Sequence, residues 1–469
     1  MFPCPQRSSE PSAQRGAPWG RSRAWSLGLL LAFSSLGAVP CRGGLWTTAY
    51  YPGYRQTYLP PSAVDFDALS HVIHFSLVPN TDGSLDPSAN GITAARSSDL
   101  LARAHAAGKR VLICVGGADS QAGFRGATTS ANLAGFVSNL VSFVAARGYD
   151  GVDVDWEPLE AADATQFTGL VSALRSGLKA QSPQSLLSAA AASEPALFAA
   201  LQGDFDQINL MTYDLAGPWP GWVTWFNSPI FDGGYRFPST GGLVPSVDGM
   251  VRDFLAAGVD SSKLGIGIAF YGDIWAGGTG TSTGGATFPR QGWTTAPTTT
   301  PIAFFDLMAN YYQSNLYHWD TNAQAAYLGI DSAGSANDKF ISYDDEHTCQ
   351  AKVGYARNQG LGGVMIWELG EGYLPAELPG RQAPLLEAIR QAMETPGLAL
   401  PRIDGANIEL AFTSLPLASY RIEWTTNLTL GVWTTLTSSV PGTGGSVLVL
   451  DAGAVTNSFQ RFYRVVTPR

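Results

Sequence analysis

Cysteine is scarce in this chain. Four occur in 469 residues, and two of them, Cys4 and Cys41, lie in or beside a leader-like N-terminus. Cys114 and Cys349 remain, far apart, which excludes a disulfide-stapled scaffold. Their spacing argues for no bridge, and both read as buried thiols. Charge is scarce as well. Charged residues make up 14% against 45% hydrophobic, a composition with a sizeable core rather than a disordered one. Basic residues are the rarer sign, 28 Lys and Arg against 38 Asp and Glu, for a formal net charge of -10. Residues 1–43 hold five Arg and one Glu, so the remainder is more acidic still. Such a surface does not attract nucleic acid or an anionic membrane, and a neutral polymer is a compatible partner. Long apolar runs are missing after residue 39. The one at the start, "AWSLGLLLAFSSLGAV" (24–39), follows Arg7, Arg15, Arg21 and Arg23. A basic stretch ahead of a short apolar run reads as an export signal over 1–43 and implies a secreted protein, with no membrane contact once the signal is cleaved. Pro40 directly before Cys41 argues against a lipoprotein signal.

From about residue 44 to 396, short apolar runs alternate with helical patterns. Strands are expected at 46–54, 71–78, 109–117, 149–157, 185–192, 205–214, 263–272 and 361–370. Between them, apolar spacings of three and four predict helices at 97–108, 132–148, 164–181, 246–258, 348–360 and 383–394. Strands that are apolar throughout suit a sheet covered on both faces. Eight βα units over this length predict an α/β fold, a closed (β/α)8 TIM barrel. The open doubly wound alternative would want a phosphate loop after the first strand, and "YPGYRQTYLPP" is not Gly-rich in that way. Residues from about 276 to 340 are polar and Gly/Thr-rich, then aromatic, and read as a small insertion after the seventh strand. Beyond 396 the pattern changes to short alternating strands, a small all-β module over 397–469.

The stretch "RGYDGVDVDWEPLE" (147–160) places Asp150, Asp153, Asp155 and Glu157 on an otherwise apolar segment. In a strand, alternate residues share a face, so Asp153, Asp155 and Glu157 point the same way, neighbours about 6–7 Å apart. Inside a barrel, Glu157 then sits at the C-terminal end, where barrel enzymes build their sites. Three buried carboxyls cannot all stay ionised, and a proton passed along the row would arm Glu157 as a general acid. On residue pattern alone, a salt-bridged or hard-metal acid cluster stays open beside catalysis.

The segment Asp150-Gly-Val-Asp153-Val-Asp155-Trp-Glu157 resembles the DGxDxDxE signature of glycoside hydrolase family 18, the chitinase family. "CVGG" (114–117) is similar to its SxGG motif and "MTYD" (211–214) to its MxYD motif, while "GIAFYG" and "GGVMIWELG" resemble the seventh and eighth strand regions. The likeness spans about 46–394 and omits the C-terminal module. It implies a chitinase that hydrolyses β-1,4-linked N-acetylglucosamine polymers with retention, the acetamido group of the substrate acting as nucleophile. In that reading Glu157 is the acid, Asp155 orients the acetamido N–H, Asp153 tunes Asp155, and Tyr213 hydrogen-bonds the acetamido group. Met211 and Asp214 line the same subsite, and Trp367 lies under the sugar. Tyr51 and Phe75 match aromatic positions of the family. Trp219, Trp222, Trp225 and Trp275 are candidate sugar platforms, because pyranose C–H faces pack on aromatic rings, although each is equally compatible with a loop core. No metal or cofactor is implied, and a monomer acting on chitin or chito-oligosaccharides is expected.

Two departures from the family stand out. Cys114 replaces the Ser of SxGG, and a thiol is the weaker donor. Asp273 follows "FYG" where the family often carries Arg. The insertion also reads as short, which implies a shallower cleft. Competing readings are an endo-β-N-acetylglucosaminidase acting on N-glycans, whose relatives tend to lack the full MxYD tetrad, and a non-catalytic chitin-binding lectin, which would have lost the acid at Glu157. The C-terminal module reads as a spacer or attachment domain, with Trp424 and Trp433 as the carbohydrate-binding alternative.

Overall fold

β-Branched and aliphatic runs bounded by Gly, Pro or Asp form eight parallel strands. We label them β1 (Trp46–Pro52), β2 (His71–Pro79), β3 (Arg110–Gly117), β4 (Gly151–Trp156), β5 (Leu186–Ala191), β6 (Gln207–Leu210), β7 (Leu264–Ala269) and β8 (Gly363–Trp367). Each pairs with the next, and β8 pairs with β1, so the sheet closes into a (β/α)8 barrel. The computed structural model describes residues 44–469 apart from 395–397, 399–400, 415–417, 444–445, 458–459 and 467–469. The export signal expected over 1–43 lies outside the described residues, as does the boundary at 396. Among the described residues no helix is long and apolar enough to cross a membrane.

The helices fall where the periodicity puts them, with ends set by capping chemistry. Leu133–Arg147 stops at Gly148, whose φ of 84° is left-handed. Ala94–Ala106 starts three residues earlier than its apolar spacing suggests, because the Thr93 hydroxyl accepts the Arg96 amide. Asp345 likewise caps Glu346–Asn358 by accepting the Thr348 amide at 2.7 Å.

Strand alternation divides the apolar residues into two cores. The larger lies between strands and helices and holds Val111, Ile113, Val152, Val154 and Trp156. The smaller fills the barrel and holds Tyr50, Phe75, Cys114, Tyr213, Tyr271 and Met365. Cys114 and Cys349 are both free and buried.

The insertion begins earlier than its composition suggests. The apolar run at 263–272 is broken at Phe270, and Tyr271–Ala276 leaves the barrel to form a new strand. It pairs antiparallel with Thr298–Ala303 and with Lys339–Tyr343, within a five-stranded sheet completed by Ala325–Ile330 and Tyr317–Asp320. Helix Phe304–Asn310 accompanies this sheet. Its core contains Trp225, Trp275, Phe226 and Phe340. Asp273, Thr299, Pro301, Ile302 and Ala303 of this sheet and its edge line a cavity beside the mouth of the barrel.

The C-terminal segment forms two three-stranded sheets around Leu410, Phe412, Tyr420 and Ile422. Trp424 lies under the Arg461 guanidinium at 4.0 Å and Trp433 under that of Arg464 at 4.2 Å. Each ring therefore has a face covered by its own domain, which favours a packing role over a sugar platform.

Candidate active site

Strand β4 determines the geometry of the site. Its alternation turns Val152, Val154 and Trp156 outward and sends Asp153, Asp155 and then Glu157 along the inner face. Trp156 stacks on Phe124 at 4.5 Å between centroids and 6° between planes, which fixes the strand from behind. Asp153 and Asp155 are 0% and 1% exposed. Glu157 is the first of the three to reach the cleft, and its amide donates to the Ser120 hydroxyl.

Asp153 is the deepest acid. It accepts from the Tyr50 hydroxyl at 2.8 Å, the Ser188 hydroxyl at 2.6 Å and the Cys114 thiol. Burial raises its pKa, and the three donors hold that rise back. Asp155 lies between two other carboxyls. Burial first, then the charges of Glu157 and Asp153, push it well above the usual carboxylate range. Glu157 is also raised, by burial and by Asp214 and Asp119, against a hydrogen bond from Asp155. With both carboxyls raised by burial and by neighbouring negative charge, the pair favours holding a proton over ionising fully. Oδ1 of Asp155 is buried and has no hydrogen-bond partner among the described residues, so it is an acceptor waiting for a donor.

Two glycines make room for this row. Gly116 has φ of 109°, and a Cβ there would lie 1.9 Å from the Asp155 carbonyl oxygen. Gly117 has φ of 110°, with the Phe75 ring 2.5 Å from its would-be Cβ. Only residues without a side chain let β3 pass that close to the acids and to Phe75.

Around the acids lies a cavity of about 410 Å³, lined among others by Tyr50, Tyr54, Phe75, Asn90, Asp119, Asp155, Glu157, Met211, Tyr213, Asp214 and Trp367. Trp367 forms its floor, 5.3 Å from the Tyr50 ring and 4.8 Å from Phe75 in an edge-to-face contact. Among the described residues the Tyr213 hydroxyl bonds only to the Met365 sulfur, at 3.8 Å, a weak acceptor that leaves it able to donate elsewhere. Asp214 adopts φ of 56°, accepts the Tyr271 hydroxyl at 2.6 Å, and is raised by burial.

A second cavity of about 590 Å³ continues the first, since both are lined by Asp214 and Trp367. Trp219, Tyr271, Asp273, Thr299, Pro301 and Glu371 also line it. Among the described residues, neither Lys nor Arg lines either cavity. Burial and Asp214 push Asp273 up to about 7. Burial pushes Glu371 up to about 6, against the Arg55 guanidinium, which it meets at 2.8 Å.

The structure brings together Asp153, Asp155, Glu157, Met211, Tyr213, Asp214, Phe75 and Trp367, and it places Trp219 on the wall of the second cavity, 48% exposed. It separates three other candidates from the cleft. Tyr51 points out of the barrel, fully buried, and its hydroxyl bonds to the Leu59 carbonyl. The neighbouring Tyr50 faces inward because strand phase sends adjacent residues to opposite sides. Trp275 is fully buried in the core of the insertion, as is Trp225, whose indole N–H donates to the Pro245 carbonyl at 2.8 Å. Both rings pack with Phe226 and Phe340 in the core of that sheet. Asp150, the fourth acid of the motif, lies outside the site and is paired with Arg110 and His105 at 2.8 Å. Sequence reasoning missed Tyr50, Tyr54, Asn90, Asp119, Ser188 and Tyr271. Ser188 alone carried a signal, as a polar residue in an otherwise apolar strand. Among the described residues no group of three or more His, Cys, Asp or Glu side chains is arranged to hold a metal ion.

This acid row, the tyrosine and the aromatic floor all fall within residues 47–372, which match the family model Glycosyl hydrolases family 18, and the chain belongs to that family. Among its relatives, chitinase A1 of Niallia circulans is 31% identical over 369 residues, 70% of this chain and 50% of the relative. A probable endochitinase of Caenorhabditis elegans is 28% identical over 297 residues, 59% of this chain and 46% of the relative. The match thus spans about half the length of both proteins. A solved family 18 N-acetylglucosaminidase from Paenibacillus barengoltzii matches with a TM-score of 0.61 at 26% identity, covering 74% of this chain and 99% of that one.

Proposed function

We propose that the chain is a secreted chitinase that cleaves β-1,4-linked N-acetylglucosamine polymers with retention of configuration, using the substrate's own acetamido group. The observation that carries this reading is the buried, unpartnered Asp155 oxygen beside Glu157 in a cleft that Tyr213 and Trp367 also line. A sugar on Trp367 directs its acetamido group toward Asp155 and Tyr213. Glu157 gives its proton to the glycosidic oxygen as that bond breaks. The acetamido carbonyl oxygen bonds to the anomeric carbon from the opposite face. The resulting oxazolinium is positive, and the ionised Asp155 accepts its N–H while Tyr213 donates to its oxygen. Water then attacks the anomeric carbon as its bond to the acetamido oxygen breaks, the water loses a proton to Glu157, and the acetamido group and the starting protonation state return. A cleft that continues on both sides of Trp367 and Asp214 suits a polymer rather than a terminal sugar alone.

The test is release of fluorophore from a fluorogenic chitobioside. Glu157→Gln is expected to lower kcat by about 10²–10⁴, with the melting temperature retained. Equal rates in wild type and variant, or no release by either, would remove the assignment.

A further inference from the structure

The second half of the cleft holds a carboxyl that the proposed hydrolysis leaves unused. Asp273 lies in the middle of Tyr271–Ala276, opposite Pro301 on one neighbouring strand and Ser342 on the other. It is only 8% exposed, and its carboxyl has no hydrogen bond or ion pair among the described residues. It nevertheless lines the 590 Å³ cavity. The other two carboxyls there are satisfied, Asp214 by the Tyr271 hydroxyl and Glu371 by Arg55. A nearly buried carboxylate without a partner is costly, and no cation of this chain lines the cavity to offset it. The cavity is where such a partner can reach it, brought by the ligand. Beside the carboxyl, the Trp219 ring stands 48% exposed and supplies an apolar face for a pyranose.

In a chitin-like polymer one substituent answers this description. An acetylated residue offers a neutral N–H, whereas a residue that has lost its acetyl group offers an ammonium with three donors, and a charge-assisted bond is the stronger of the two. We propose that Asp273 is a specificity residue which seats a de-N-acetylated glucosamine unit against Trp219, next to the acetylated sugar held on Trp367, so that the enzyme favours partly deacetylated chitin. The proposal rests on the reading of the cleft as a chitin hydrolase. The division of labour is chemical. The sugar on Trp367 needs its acetamido group as nucleophile, and its neighbour needs none.

The experiment compares wild type, Asp273→Asn and Asp273→Ser on a fully acetylated hexamer and on partly deacetylated chitosan, with the sequences at the new chain ends read by mass spectrometry. Wild type is expected to enrich glucosamine at the position beside the cleavage point and to show a higher kcat/KM on the deacetylated polymer. Both variants are expected to lose the enrichment, and the ratio of kcat/KM between the two substrates is expected to fall about tenfold. A global fold defect would lower both rates and leave that ratio in place. An unchanged ratio in both variants, or random composition at the wild-type ends, overturns the proposal. If wild type cleaves the acetylated hexamer in a Glu157-dependent manner but shows no enrichment, only this inference fails. If it cleaves neither substrate, the chitinase reading fails first and takes this one with it.

Discussion

Two single residues set separate pH dependences, one of catalysis and one of stability. The Cys114 thiol donates to Asp153 where the family motif has a hydroxyl, and a thiol is the poorer donor. Cys114→Ser should stabilise the Asp153 carboxylate. A firmer negative charge there raises the proton affinity of Asp155, and with it that of the pair. The alkaline limb of the kcat/KM profile should therefore move to higher pH, and a limb that moves down or stays would contradict the relay. Asp273 acts on stability. Its folded pKa is raised to about 7 from 3.8, so the folded form holds a proton that the unfolded form has released. That contribution is complete below pH 3.8, declines as pH rises, and is gone above about 7. Asp273→Asn removes the dependence. At pH 8 the variant should be more stable than wild type by up to about 4 kcal/mol, with little difference near pH 4. Thermal melts at the two pH values decide the point. A site residue that costs stability is the expected signature of a function it serves.

At the level of elements, the acids depend on how closely β3 approaches β4. The register pairs Cys114 with Asp153 and Gly116 with Asp155. A methyl group at Gly116 has no space, since its position is 1.9 Å from a backbone oxygen and its φ is 109°. Gly116→Ala should destabilise the protein by about 3 kcal/mol or more from overpacking and backbone strain. Its effect on kcat should exceed what partial unfolding explains, because the carbonyl that moves belongs to Asp155. Circular dichroism melts beside chitobioside turnover at a temperature well below the melt would separate the two effects.

Across the whole molecule, the insertion has to be held against the barrel for the cleft to exist. A buried ion pair supplies one fastening. Lys352, 0% exposed on helix Glu346–Asn358, pairs with Asp344 where the insertion rejoins the barrel, and its ammonium also donates to the Ser228 hydroxyl at 2.5 Å. Asp344 in turn accepts the Ala269 amide at the end of β7 at 3.1 Å. Lys352→Met strands a buried carboxyl and should cost about 3–5 kcal/mol. Lys352→Met combined with Asp344→Asn should recover most of that loss, since neither buried charge remains. A double-mutant cycle on urea midpoints measures it, and additive losses would show that the two side chains do not act as a pair.

Much of this protein follows from local pattern. The spacing 153, 155, 157 commits three carboxyls to one side of a strand in any sheet that contains it, and continuous apolar runs alternating with helical periods commit the chain to a sheet covered on both faces. Periodicity of that kind is a property of neighbours along the chain, so no fold is needed to read it. What it leaves open is absolute phase and the path of the loops. Tyr50 and Tyr51 are interchangeable until barrel closure chooses which one faces the acids. Four tryptophans in polar surroundings look alike until the insertion folds, when Trp225 and Trp275 become its core and Trp219 becomes a wall. Asp273 reads as one more acid beside a strand until its neighbours withhold every partner. Those outcomes depend on contacts between residues tens to hundreds of positions apart, and only the closed barrel with its added sheet brings such residues within reach of one another.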